Sequence, residues 1–360
     1  MKKWRGIGGA ILVGAGMILL ILNAPTAIAG ASEGVQLCIQ TVIPSLFPFM
    51  VLSMVMTGAL YQMSTPLMRP IAAGLKLPPN AESIYLVGLL GGYPIGAQGI
   101  RQAYDRGQLS RESAQRMLSF CNNAGPAFVF GMGSHLLGST WECFLVWLIH
   151  IISSMTVGFI TPAPKQNTIF VVSGASVSFP EAVRRGAEAM LSVCGWIVIF
   201  RTGLQLLENW GLGTLPRELA IAISGLLEMT NGCANLESVS SMGVRFVLFS
   251  GILGFGGLCV GLQTKSVLLG SDLTVGSYIR GKTLQGLLSV GSSLMVANRM
   301  DGNPITILMG ILILPSVVIM VYHILFERKG KLGMEIGAGM VYTNHNVQGG
   351  ITYEVVSEKG

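Results

Sequence analysis

Six stretches of this chain are too long and too apolar to have water as their solvent. Residues 7–22, 37–60, 144–160, 189–207, 246–262 and 305–326 each reach or approach the ~20 residues that carry a helix across a bilayer. Only 11% of the 360 residues are charged, less than half of the roughly one quarter found in soluble domains. In lipid every backbone N–H and C=O must be satisfied inside the protein, so such a chain folds as a helical bundle. The 48 glycines suit that setting because they let membrane helices approach closely. They follow no strict period, which excludes a collagen-like or low-complexity chain.

The net charge of +6 would also suit a nucleic-acid binder, but its placement argues against one. The basic residues lie in short segments between apolar runs, as the positive-inside rule requires. Lys2, Lys3 and Arg5 hold the N-terminus inside, the first run exits, and after a loop carrying Glu33 the second returns. Arg69 and Lys76 outweigh Glu82, and Arg101, Arg106, Arg111 and Arg116 outweigh Asp105 and Glu112. Residues 83–100 between these two inside segments therefore enter and leave by one face. Residues 117–137 then exit and 141–160 return, 189–207 exit, 219–236 form a second hairpin entered from outside, and 244–263 return. Residues 284–298 exit and 305–326 come back to a basic end. The expectation is an all-α polytopic membrane protein with about eight transmembrane helices plus two re-entrant helical hairpins, both termini cytoplasmic. Residues 1–30 read as an N-terminal membrane segment retained as a signal anchor, although Ala27-Ile28-Ala29 resembles a signal-peptidase site.

Both hairpins are interrupted by residues that break a helix. The first carries Gly91-Gly92-Tyr93-Pro94-Ile95-Gly96 and the second Glu228-Met229-Thr230-Asn231-Gly232. Gly88-Leu89-Leu90 precedes one break and Gly225-Leu226-Leu227 the other, and Phe120-Cys121-Asn122-Asn123-Ala124-Gly125 is answered loosely by Phe249-Ser250-Gly251-Ile252-Leu253-Gly254. Each half runs span, broken hairpin, Gly-rich span, span. The halves start on opposite faces, so the repeats (31–165 and 166–326) are inverted, as in secondary transporters that bind their solute at the repeat interface. Residues 327–360 form a polar tail, flexible or weakly β.

Polar groups at membrane depth are costly and tend to mark a solute path. Asn122, Asn123 and Gly125, followed by Pro126, should unwind a helix and free backbone groups. Gly92, Tyr93, Pro94, Gly96 and Gln98 supply donors, a phenol and an amide at one tip. Glu228, Thr230 and Asn231 do so at the other, where the carboxylate suits a coupling cation or a proton. Arg201, near the outer end of its span, suits either a solute carboxylate or a structural pair with Glu228 or Glu208. These residues form the expected solute site; the simpler alternatives are tight turns and interhelical ties.

Gly276 to Thr283 fits the phosphate-loop pattern GxxxxGK[ST]. No strand-helix alternation surrounds it, so it reads as a basic juxtamembrane loop ending in Lys282 and Thr283. The sequence holds no HExxH, GxSxG or GxGxxG, and its six cysteines have no metal-ligand spacing. Enzyme activity, cofactors and metals are not expected. The partners it admits are a small solute, the lipid bilayer, a coupling cation or proton, and a second copy of the chain.

Gly91-Gly92-Tyr93-Pro94-Ile95-Gly96-Ala97, with Phe120-Cys121-Asn122-Asn123-Ala124-Gly125-Pro126 after a charged linker, resembles the sporulation integral membrane proteins of the YlbJ type. The resemblance spans about residues 35–325 and is looser in the second half. It implies duplicated nucleoside-recognition (Gate) domains related to the core of concentrative nucleoside transporters, with the two hairpin tips facing one another. It also implies transport of dipicolinate during spore formation, across the outer forespore membrane. The alternatives are a nucleoside-like solute, or a membrane assembly factor for the spore envelope that transports nothing.

Overall fold

A computed structural model describes residues 2–62, 69–79, 81–164, 177–297, 307, 309–322, 340–343 and 354–357. It is helical throughout except for a two-stranded antiparallel ribbon, β1 (Met340–Thr343) with β2 (Glu354–Ser357), in the tail. Among the described residues, four helical stretches are long and apolar enough to cross a membrane: Ala24–Met56, Thr140–Ile160, Phe179–Asn209 and Met242–Val267. Large apolar side chains such as Ile39, Leu52, Leu191, Ile199 and Leu287 stand exposed on the outside of the bundle, where lipid rather than water suits them.

α1 (Lys2–Leu22) and α2 (Ala24–Leu37) meet at Asn23, and α2 continues through a wide turn, Cys38–Val42, into α3 (Ile43–Gln62). The expected loop around Glu33 is therefore helix. Pro25 sits in the first turn of α2, where a missing N–H costs nothing. The small residues Ala27, Gly30 and Gly34 are buried, and Gly30 and Gly34 lie against Arg201, Thr202 and Val198 of α10 (Phe179–Asn209). Close packing of small residues, which hydropathy does not register, makes 24–37 helical. Further on, Gly186 meets Val51 of α3, so α2–α3 and α10 form one long antiparallel pair. α10 has 31 residues, about 46 Å at 1.5 Å per residue.

After α4 (Arg69–Gly74), the first hairpin is α5 (Glu82–Gly91) and α6 (Ile95–Asp105). α7 (Arg111–Met117) and α8 (Pro126–Leu137) are the two arms of a broken span, and α9 (Thr140–Ile160) is straight. The second half repeats that order. α11 (Arg217–Leu227) and α12 (Met229–Ala234) make a hairpin, α13 (Met242–Phe255) and α14 (Gly257–Val267) a kinked span, and α15 (Gly276–Ala297) a straight one. The kink falls at Gly256 and Gly257, both left-handed with φ of 80° and 78°, a backbone that glycine adopts without strain. α16 (Met309–Tyr322) follows and packs through Leu314 on Gly291 of α15.

Candidate functional site

Each hairpin tip docks on the break in its own half. At the first tip Gly92 has φ 78° and its backbone lies against that of Gly125, just before α8. Pro94 opens α6, and its carbonyl accepts from the Gln98 N–H at 3.1 Å. A Cβ on Gly88 or Gly96 would run into the Cys121 carbonyl, so the hairpin arms and the broken span meet backbone to backbone. At the second tip Gly257 lies against the backbone of Met229 and Leu227. Glu228 caps α12 there: one carboxylate oxygen accepts from the Thr230 N–H at 3.1 Å, the other from the Asn231 N–H and side-chain amide at 2.7 Å each.

Between the tips lies a cavity of about 30 Å³, lined by Gly92, Tyr93, Gly125, Glu228 and Thr230 with Val193 and Ile197 of α10. That is room for one water. Among the described residues, Glu228 is its only charged lining residue. Two larger cavities lie toward the ends of α10. One, of about 650 Å³, is lined by Gln98, Arg101, Asp105 and Arg106 of α6 with Arg185 and Glu188. The other, of about 400 Å³, is lined by Glu208, Arg217, Ser224 and Asn235. From Arg185 to Glu208 the helix rises about 35 Å, and the tip cavity falls in between.

Behind the tips the amides of the unwound segment are wholly buried. Asn122 accepts from the Ala97 N–H at 3.3 Å and donates to the Thr264 hydroxyl at 3.1 Å, tying the first hairpin to α14. Asn123 donates to the Phe120 carbonyl at 2.7 Å and accepts from Lys282 and Gln285 at 3.1 Å each. Lys282 also donates to Gln285 at 2.7 Å and lies 5.0 Å from the centre of the Tyr93 ring. The Tyr93 hydroxyl donates to the Leu253 carbonyl at 3.3 Å, and His150 accepts from the Ala124 N–H at 3.1 Å.

Two expectations change here. The phosphate-loop-like stretch is helical from Gly276 onward, which leaves no phosphate cradle, yet Lys282 is no juxtamembrane residue: it is 1% exposed. A signal was present in the sequence, for Lys282, Gln285, Ser289 and Ser292 fall on one face of a helix. Arg201 is not brought to the tips. It sits one turn beyond Ile197 and binds Glu33 at 2.5 Å, Gln205 at 2.6 Å and Glu208 at 2.8 Å, making it part of the α2–α10 seam.

At the end of α6, Tyr104 donates to Asp272 at 2.7 Å and Arg111 pairs with the same carboxylate at 2.9 Å. The tyrosine hydroxyl first, and the nearby guanidinium after it, hold the Asp272 carboxyl below its ordinary value.

Among curated proteins, the sporulation integral membrane protein YlbJ of Bacillus subtilis (strain 168) is 24% identical over 316 residues, 74% of this chain and 77% of that one. The chain is similar to YlbJ. The resemblance carried by the first tip and the unwound segment therefore extends over most of both proteins, and with the apolar helices it makes this an integral membrane protein. No family model and no solved structure matches the chain.

Proposed function

We propose that this protein is a secondary transporter, not an enzyme, moving a small polar or anionic solute by alternating access past the two hairpin tips. The observation that carries the reading is the placing of a narrow cavity between two much larger ones along α10. A cavity of about 30 Å³ is far below the roughly 300 Å³ of small-molecule pockets, so the tips form a gate that must part for a solute to pass. The repeated order of hairpin, broken span and straight span supports inverted repeats like those of transporters. The similarity to YlbJ favours a role in sporulation; dipicolinate as solute and the outer forespore membrane as location follow from the family resemblance alone, and cytoplasmic termini from the loop charges. One observation favours a neutral, nucleoside-like solute instead: the charge facing the tip cavity is the carboxylate of Glu228. An anion would have to arrive with a cation or a proton. Uptake of dipicolinate and of nucleosides into proteoliposomes tests both readings. Saturable uptake of either, reduced roughly ten- to a hundredfold by Asn123→Ala at equal protein abundance, is the expected result. Uptake of neither sinks the transport reading for these solutes.

A further inference from the structure

Lys282 is wholly buried, yet its nearest partners are neutral: the amide oxygens of Asn123 and Gln285 and the face of Tyr93. Among the described residues it makes no ion pair with a carboxylate. The titratable groups around it are Tyr93 of the first hairpin, Cys121 of the unwound segment, His150 of α9 and Tyr278 on its own helix. Arg116, at the end of α7, is turned away onto the carbonyls of Leu75, Gly158 and Thr161. A lone ammonium at this depth is costly, and titratable groups so placed commonly carry protons.

A second observation continues from it. The hydroxyls of Ser153, Ser250, Ser289 and Ser292 are buried without a hydrogen-bond partner among the described residues, an expensive state for a polar group. Ser289 and Ser292 follow Gln285 at one-turn intervals on the Lys282 face of α15. α13 runs antiparallel to α15, with Gly254 against Ser289 and Gly251 against Val290, so Ser250, one turn before Gly254, falls beside the Ser292 turn. Ser153 follows His150 by one turn on α9. From Lys282 to Ser292 the column covers about 15 Å of helix, half of a hydrocarbon core of roughly 30 Å.

We propose that Lys282, cradled by Asn123 and Gln285, is a proton-carrying site served by this column of hydroxyls, and that it exchanges one proton per transport cycle. The proposal rests on the transport reading and names the coupling ion within it. In one half-cycle the ammonium gives one N–H proton to the column and is left as the neutral amine. In the other half-cycle the amine takes up a proton and the ammonium is restored, so nothing is consumed. Loss of the charge weakens the Lys282 bond to Asn123 while Gln285 still donates to the same oxygen from α15, so proton release loosens the unwound segment without freeing it.

Two measurements on the full chain test this. In proteoliposomes containing a trapped pH dye, dipicolinate uptake by the wild type should move protons. Lys282→Arg, which fixes the charge, and Lys282→Met, which removes it, should each lower proton movement per solute roughly tenfold or more, and Ser289→Ala with Ser292→Ala should slow it. Dipicolinate uptake without proton movement, or Lys282→Arg at the wild-type ratio, overturns the proposal and leaves transport standing. A solute-free readout separates the two: the unfolding temperature of detergent-solubilised protein against pH. Wild type should show a pH dependence that both Lys282 variants lose. Absence of dipicolinate uptake together with that loss retires the solute and keeps the proton site, whereas parallel curves for all three proteins overturn the site.

Discussion

The two hairpins share a construction and differ in what they hold at the tip. Both pack a glycine on a backbone, Gly92 on Gly125 and Gly257 on Met229. The first tip is uncharged, and its arms are fitted by Gly88 and Gly96 to the Cys121 carbonyl of a neighbouring segment. The second is held by its own contacts, Gly232 on Gly225 within the hairpin and Glu228 on the α12 N-terminus. Shape fixes the first hairpin to its surroundings, while charge organises the second internally. Backbone contact with Cys121 and Gly125 builds the first hairpin into the unwound segment, whereas the second adds an internal carboxylate cap to its contacts with Gly257 and Ile252.

The largest expected effect breaks the fitted tip. Gly96→Val drives two methyls into the Cys121 carbonyl and should cost about 3 kcal/mol or more, read as loss of monodisperse protein in detergent. If Gly96→Val is as stable as wild type, the backbone-to-backbone account of that hairpin is wrong. Next is Glu228→Gln. The amide keeps one acceptor for the Thr230 N–H but sets an NH₂ against the donors of Asn231, a loss of about 1–3 kcal/mol. Unfolding temperature measures it, and cysteine labelling at residue 234 should rise in the variant, while labelling in the first hairpin should not. Equal changes in both hairpins would erase the contrast drawn here.

Arg201→Gln should matter less. Its partners Glu33 and Glu208 are partly exposed, and ion pairs so placed contribute about 0–1 kcal/mol. Solute uptake should stay near wild type; a loss as deep as that of Asn123→Ala would return Arg201 to the solute site. The smallest effect concerns Asp272. With the Asp272 carboxyl held below its ordinary value, its contact with Tyr104 and Arg111 contributes fully above the unfolded value and is lost as pH falls through the folded one. Labelling of a cysteine at Thr274, taken relative to a free thiol at the same pH because the thiolate is the reacting form, should therefore rise in acid, and Asp272→Asn should remove that dependence. An unchanged acid response in the variant would exclude this carboxylate as its cause.

What the sequence makes legible is where helices fail. Gly92, Pro94 and the run from Asn122 to Pro126 lie at turns and breaks because these residues strain or weaken a helix wherever they stand. The helix through Glu33 was hidden because its cause is tertiary: Gly30 and Gly34 become informative only once α10 lies against them. Arg201 misled for the same reason, since its partners come from 168 positions away as well as from its own helix. Lys282 was hidden by position, since a lysine just before an apolar run reads as a flank. The helix in fact begins six residues earlier, at Gly276. Helix starts set by packing are poorly marked by hydropathy alone.

The long α2–α10 seam also supplies a built-in yardstick for measuring motion. Both open cavities share residues of one continuous helix, so paired spin labels near its two ends should report a constant separation through the working cycle. Distances from the middle of that helix to either hairpin tip can then be read against this internal standard. Any change in them belongs to the tips and not to deformation of the whole molecule.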